Sequence, residues 1–581
     1  MKKSLLFSAV LAGLMLGSCS SSDDLAGGNT PANQDGNGYV AFTINLPSQS
    51  GSSSRAGSEN DQFDDGLTSE YSVQDATLIL FNAGTTEGES SFVEAHKLST
   101  AQWQNVGTST DNITTQSKKI VQKVTKSITN AKALVILNNN GTLTVGDDGS
   151  LKVNGTNFEG TYAEFLAKAE ATKDKTLTKD GFYMANAPLA NGKGGSAAPV
   201  AGTTVTTLTD LAGKIYDTEA EANLGTPAEV YVERGVVKVT LNKGEVDKAN
   251  NGTTDKVDFA ISGWAIDNTN PTTYLVRSTD GFTDWMGYAN ENVTTNPYRF
   301  IGHTAVADNL YRTYFAKDMN YDTEATGLQR VKEADFKDTY GETNPQYCFE
   351  NTFNVAHQNE NQTTLVAIKA KLNSGKDFYI VDGDQTKLFD KTQLEKLIKN
   401  KFLSVEEGWV QANAKDATTK IGEDDLTLTF DKDAAGEIHL TGVTVKPEKL
   451  KDSPDALPST YLDDVKAAVG SIVYYKNGVS YYTIRIKHFG DDLTPWKKGE
   501  LGVAAGSVYP DGTKTAEANW LGRYGVLRNN WYDITVDGVK GLGSATVPEL
   551  TGTTDDELES YIAVRINVLS WAKRTQGAIL H

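Results

Sequence analysis

Tyr39-Val40-Ala41-Phe42-Thr43-Ile44-Asn45-Leu46-Pro47 sets Val40, Phe42, Ile44 and Leu46 on one side of an extended chain and Ala41, Thr43 and Asn45 on the other. Alternation with a period of two, closed by a proline, marks a half-buried β-strand. Runs of the same kind recur at residues 76–81, 133–137, 230–241, 257–266, 363–372, 426–430, 472–475, 481–486, 531–536 and 561–569. They are rich in Val, Ile, Thr, Tyr and Phe, and Asn-Gly or Asp-Gly turns lie between many of them. Asn477-Gly478, between two apolar runs, predicts a hairpin. Helical spacing is confined to residues 162–172, 391–399 and 462–469. The chain therefore reads as mainly β, built of sandwiches with a few short helices.

Working outward from that first strand, residues 20–38 are rich in Ser, Asp, Gly, Asn and Thr with no aromatic, the composition of a flexible tether. Ahead of the tether, Lys2 and Lys3 precede an apolar stretch over 5–16 that is too short to span a bilayer and ends in Gly17 and Ser18. This is an export signal over 1–18. Leu16-Gly17-Ser18-Cys19 resembles the lipobox of bacterial lipoproteins, which implies that Cys19 is lipidated and becomes the first residue after cleavage.

Beyond the strand, Gln49-Ser50-Gly51-Ser52-Ser53-Ser54-Arg55-Ala56-Gly57-Ser58 contains the one Lys or Arg found between Lys3 and Lys97. A basic residue in a Ser/Gly stretch is the local setting in which proteases cut. Scission between Arg55 and Ala56 would release anchor, tether and strand together, the whole of residues 19–55. Loss of a strand whose alternate residues are apolar would open a hydrophobic groove edged by unpaired backbone groups, which another strand would have to fill.

The chain has 581 residues, and 55 Lys and Arg against 75 Asp and Glu give a formal charge of −20, which would repel phosphate backbones and excludes a nucleic-acid partner. Cys19 and Cys348 make no disulfide framework, and Cys348 reads as a buried small apolar residue. There is no Gly-x-Ser-x-Gly elbow, phosphate-binding loop, His-Glu-x-x-His or Cys-x-x-Cys, and the six histidines fall in separate segments. The stretch 431–436 begins like a calcium loop but has Gly442 where Glu is required. Neither catalytic residues, nor a metal site, nor a cofactor is expected. Trp531 and Tyr532 read as core and turn residues. The polar stretch 243–255 sets a domain junction near 245, giving an N-terminal domain over 56–245 and a C-terminal domain over 246–581, the second long enough to carry insertions between its strands.

Several segments resemble one family in the same order along the chain: the lipobox, Arg55-Ala56 behind a first strand, Gly181-Phe182-Tyr183-Met184-Ala185-Asn186, Val232-Glu233-Arg234-Gly235-Val236-Val237-Lys238-Val239 and Tyr347-Cys348-Phe349-Glu350-Asn351-Thr352. Further likenesses are Thr364-Leu365-Val366-Ala367-Ile368-Lys369-Ala370-Lys371-Leu372, Val526-Leu527-Arg528-Asn529-Asn530-Trp531-Tyr532-Asp533-Ile534 and Val564-Arg565-Ile566-Asn567-Val568-Leu569-Ser570-Trp571. They resemble fimbrillins, the type V pilus subunits of Bacteroidales, and most of all the minor-fimbria (Mfa) shaft branch.

That resemblance implies two tandem transthyretin-like, Greek-key sandwiches. It also implies a precursor held at the outer membrane as a lipoprotein, maturation by an arginine-specific protease and no enzymatic activity. The partners it implies are further copies of the chain, other fimbrial subunits and host or bacterial surface ligands, with adhesion and biofilm growth as the outcome. The donor strand of a shaft subunit comes from its C-terminal end, here 561–580, where Ile562, Val564, Ile566 and Val568 share one face. Such head-to-tail contacts build filaments. The polar residues 573–577 leave the limits of that strand open. A tip or accessory adhesin, and an uncleaved glycan-binding surface lipoprotein served by the dispersed tryptophans, stand as alternatives.

Overall fold

The computed structural model describes residues 37–47, 66–282, 301–488, 525–552 and 572–580, with short gaps inside these ranges. Strands dominate, as the alternation requires, and they pack as sandwiches with few helices.

The first unit is built on β1 (Asn37–Pro47), β2 (Ala76–Asn82), β3 (Ser91–Leu98), β4 (Trp103–Asn105), β5 (Ile113–Ser117), β6 (Ile120–Thr125), β7 (Ala131–Leu137), β8 (Met184–Asn186), β9 (Ile215–Tyr216) and β10 (Ala228–Arg234). Its main path runs β3-β2-β7-β8-β10-β1-β5-β4, with β6 and β9 also paired to β1. One core gathers Val40, Phe42 and Ile44 of β1 with Leu78 and Leu80 of β2, Ile120 and Val124 of β6, Val135 and Leu137 of β7, and Val230 and Val232 of β10. Strands from both ends of the path thus face one another as two layers. The intervening residues Ile79, Phe81, Leu134 and Ile136 enter a second core, closed by helix α1 (Tyr162–Lys168) through Tyr162 and Phe165. Being covered on both faces, β2 from Leu78 to Phe81 and β7 from Ala133 to Leu137 are apolar without interruption. Helix α1 starts where expected because Thr161 and Glu164 form a reciprocal capping box.

The second unit is a sandwich of two sheets. In one, β11 (Val237–Asn242) lies between β13 (Gln346–Cys348) and β20 (Asn530–Val539), with β21 (Ala572–Leu580) outside β20. In the other, β12 (Val257–Asp267), β14 (Leu365–Leu372) and β19 (Val479–Arg485) run side by side. Val239 and Leu241 from β11, Phe259 from β12, Ile368 from β14, Ile484 from β19 and Ile534 from β20 meet between the sheets.

The longest insertion of this unit lies between β14 and β19. There β15 (Phe378–Val381), α2 (Lys391–Val405), α3 (Glu407–Asn413), the hairpin β16 (Leu426–Lys432) and β17 (Ile438–Val445), α4 (Tyr461–Val469) and β18 (Ile472–Tyr475) enclose a core of their own. It includes Ile398, Phe402, Leu440 and Val465. The would-be calcium loop is the tip of this hairpin, where Asp431 pairs with His439 and residues 433–437 lie outside the described set.

Two expectations need correcting. Asn477-Gly478 does not close a hairpin: β18 pairs with β15, and β19 pairs with β14. The two positive φ values, 52° at Asn477 and 64° at Gly478, bend a continuing ladder next to a matching bend at Ser374 and Gly375. The run 230–241 is two strands, because the chain leaves one sheet system for the other across Gly235-Val236. Gly235 donates its N–H to the Tyr183 carbonyl, and a Cβ there would stand 2.6 Å from the Tyr183 ring, so a larger residue would clash. We propose that the boundary between the units be drawn at this crossing rather than near 245.

Candidate assembly groove

β1 has no charged residue, and the structure gives the reason. Val40, Phe42 and Ile44 are fully buried on one face, and Ala41, Thr43 and Asn45 are buried on the other. It is an interior strand. Along one flank, residues 37–42 pair antiparallel with β6 and residues 45–47 antiparallel with β5. Residues 42–45 run parallel to β10, in the register Phe42↔Ala228, Thr43↔Glu229, Ile44↔Val230 and Asn45↔Tyr231, and Tyr39 and Val40 also pair with β9. Leu46 lies opposite Thr115 in this ladder. The sequence signal for burial on both faces was present in the small neutral residues at positions 41, 43 and 45, which half-burial does not require.

Burial of one Val, one Phe and one Ile contributes about 5–9 kcal/mol, taken as an upper value. Against this, the Thr43 hydroxyl and both ends of the Asn45 amide are buried without a hydrogen-bond partner, a cost of about 1–3 kcal/mol for each residue so placed. Removing β1 would uncover Ile120, Val124, Ala228 and Val230 and leave backbone donors and acceptors on β6, β5 and β10 facing an empty channel. Such a channel would have an apolar floor and backbone groups left in need of partners.

The C-terminal strand sits in a different place. β21 runs parallel to β20 from Asn530↔Ala572 to Val539↔Leu580, outermost in its sheet among the described residues, and Leu580 enters the core of the second unit. Cys19, Arg55, Ala56, Ile562, Val564, Ile566 and Val568 all lie outside the described residues.

The two units are joined by strand pairing and buried charge. Leu189 and Ala190 pair with Arg312 and Tyr311, and residues 170–172 pair with 272–274. The buried Glu70 carboxylate receives Lys238 at 2.9 Å and the Tyr347 hydroxyl at 2.6 Å, while its carbonyl accepts from Arg234. The Lys238 ammonium stands 3.9 Å above the Trp531 ring, whose N–H donates to Thr240. Nearby, Arg277 pairs with Glu233 at 2.7 Å and Arg528 with Glu350 at 2.6 Å, all four buried. Burial pushes the Glu233 carboxyl upward against the pull of Arg277. Trp531 and Tyr532 are core residues, as read from the sequence. Buried Cys348 is apolar in its surroundings, and burial pushes its thiol up to about 12. Sequence reasoning missed Glu70, Arg277 and Asp318, since no local pattern distinguishes a surface carboxylate or guanidinium from one buried against a distant strand.

Arg528, Asn529, β20 and most of β21 fall inside residues 508–577, which match the family model described as major fimbrial subunit protein type IV, fimbrillin, C-terminal. Over this stretch the chain is fimbrillin-like. That match supports a fimbrial subunit that works with other fimbrial subunits at the cell surface. No curated protein sequence matches it.

Similar solved structures include a fimbrilin of Porphyromonas gingivalis W83, at 10% identity over 93% of this chain and 97% of that one, with a TM-score of 0.34. A fimbrial assembly protein of Parabacteroides distasonis is 11% identical over 58% of this chain and 96% of that one, TM-score 0.25. The tip fimbrial protein Mfa3 of Porphyromonas gingivalis, with a C-terminal truncation, is 10% identical over 57% and 77%, TM-score 0.24.

Proposed function

We propose that the chain is a structural pilin, exported as a lipoprotein anchored through Cys19 and cut between Arg55 and Ala56. It then polymerises when a C-terminal strand of one copy enters the channel left by β1 in the next, and the resulting filament serves adhesion and biofilm growth. The observation that carries the reading is the seat of β1. That strand is buried on both faces, fully flanked, and followed within ten residues by the one basic residue between Lys3 and Lys97, which supports its release as a unit. An arginine-specific protease, the other fimbrial subunits and a surface ligand are the partners this requires, and nothing in it calls for a cofactor or catalytic residues. The test is Arg55→Ala: this variant should accumulate as a lipid-anchored monomer, and normal polymerisation would defeat the reading.

A second reading is favoured by one observation. Leu580 is buried in the chain's own second unit, and β21 completes a sheet there. A tip or accessory subunit would keep that strand at home. Deleting residues 561–581 separates the two, since filaments of normal length after the deletion would exclude a shaft role.

A further inference from the structure

Residues 39–46, Tyr-Val-Ala-Phe-Thr-Ile-Asn-Leu, recur near the other end of the chain as residues 561–568, Tyr-Ile-Ala-Val-Arg-Ile-Asn-Val. Tyr, Ala, Ile and Asn are repeated at the first, third, sixth and seventh places. Val40 and Ile562, Phe42 and Val564, and Leu46 and Val568 exchange one apolar side chain for another. Strand alternation accounts for the apolar places, but not for the return of Tyr561, Ala563 and Asn567 in the same frame. One place changes character: Thr43 corresponds to Arg565.

The bed of β1 explains that one change. Thr43 lies beside Glu229 of β10, and Glu229 is exposed, with its carboxylate accepting from the Tyr231 hydroxyl at 2.6 Å. Thr43 offers this carboxylate no charge. An arginine in the same seat is long enough to extend its guanidinium out to the exposed Glu229 on the adjacent strand, an opposite-charge pair between neighbouring strands.

We propose that residues 561–568 of a second copy of this chain occupy the channel of β1 in the register and polarity of β1, with Arg565 paired to Glu229. The proposal rests on the donor-strand reading above and adds where, in which direction and by which contact the donor is fixed. In this register the donor runs parallel to β10 and antiparallel to β6 and β5. Val564 takes the place of Phe42 beside Ala228 and Ile120, and Asn567 that of Asn45 beside Tyr231 and Gln116. A slip of one residue would turn Arg565 toward the apolar core. A slip of two would bring it to the seat of Ala41 or Asn45, where the native side chains are 0% and 1% exposed, against 8% for Thr43. Only one register therefore places the arginine at a carboxylate.

Two measurements on the mature chain, residues 56–581, test this. Copies carrying Val564→Cys mixed with copies carrying Ile120→Cys should form an intermolecular disulfide under mild oxidation, because Phe42 and Ile120 are direct partners. Copies carrying Ile562→Cys, two places away, should not cross-link to Ile120→Cys. Cross-linking of the offset pair in preference to the aligned one overturns the register. Independently, Arg565→Glu should slow polymerisation about fivefold at low salt, and adding Glu229→Lys to the same chain should restore it to within about twofold. Unaltered assembly of Arg565→Glu, or failure of the second substitution to restore it, overturns the ion pair. The underlying reading fails separately if Val564→Asp combined with Ile566→Asp polymerises like the unaltered chain.

Discussion

The Lys238 ammonium lies 2.9 Å from the Glu70 carboxylate with both side chains shut away from solvent, and the pair joins the beginning of the first unit to the first strand of the second. Glu70 stands downstream of Arg55, so it would remain in a chain cut there. The mature chain would then keep its new N-terminal region fastened by Lys238, Tyr347 and Arg234 after losing β1. Lys238→Ala leaves a buried carboxylate without its cation and should cost about 3–5 kcal/mol. Chemical unfolding measures it, and combining the change with Glu70→Leu should recover most of the loss. A loss that persists in the double variant would place the cost in the Lys238 stem with its contact to Trp531 and in the Tyr347 hydroxyl that Glu70→Leu leaves without its acceptor.

How much of this was legible beforehand depended on the distance over which each feature is decided. β1, α1 and the start of α2 were readable because strand alternation and helical spacing are local. Asn477-Gly478 was misread because the same positive φ pair that closes a hairpin can also bend a ladder, and the choice belongs to Ser374 and Gly375 on the facing chain. The crossing at Gly235 was hidden in an apolar run that looks continuous. Lys238 and Glu70 are 168 residues apart, and nothing near either announces the other.

A pH dependence follows from Asp318. Burial raises its carboxyl from 3.8 to about 7, although Thr352 and Asn320 donate backbone N–H groups to it. Below about pH 4 the group is protonated whether the chain is folded or not. Between about pH 4 and 7 the folded chain keeps a proton that the unfolded chain has released, so stability falls as pH rises through that window, by on the order of 4 kcal/mol in all. Asp318→Asn, which mimics the neutral form, should flatten this part of the melting temperature against pH profile. An unchanged slope would assign the effect to other groups, Glu233 first among them.

Cys348 gives a chemical readout of the second unit. With its thiol pushed up to about 12 and its side chain buried, it carries almost no thiolate at pH 8. The folded mature chain should be inert to a disulfide reagent at that pH and react with one equivalent once unfolded in urea. Rapid labelling of the folded chain would mean that β13 opens readily from β11.

Phe42 distinguishes the two lives of the channel. It is 1% exposed within the first core, so Phe42→Ala should destabilise the uncleaved chain by about 3–5 kcal/mol, seen as an earlier urea midpoint. The same gene, once its product is cut after Arg55, yields a chain that no longer contains residue 42. Its stability and its polymerisation should therefore match those of the unaltered protein. Equal losses in both forms would mean that residues 37–47 stay seated after cleavage, and the channel would then not be free to receive a neighbour.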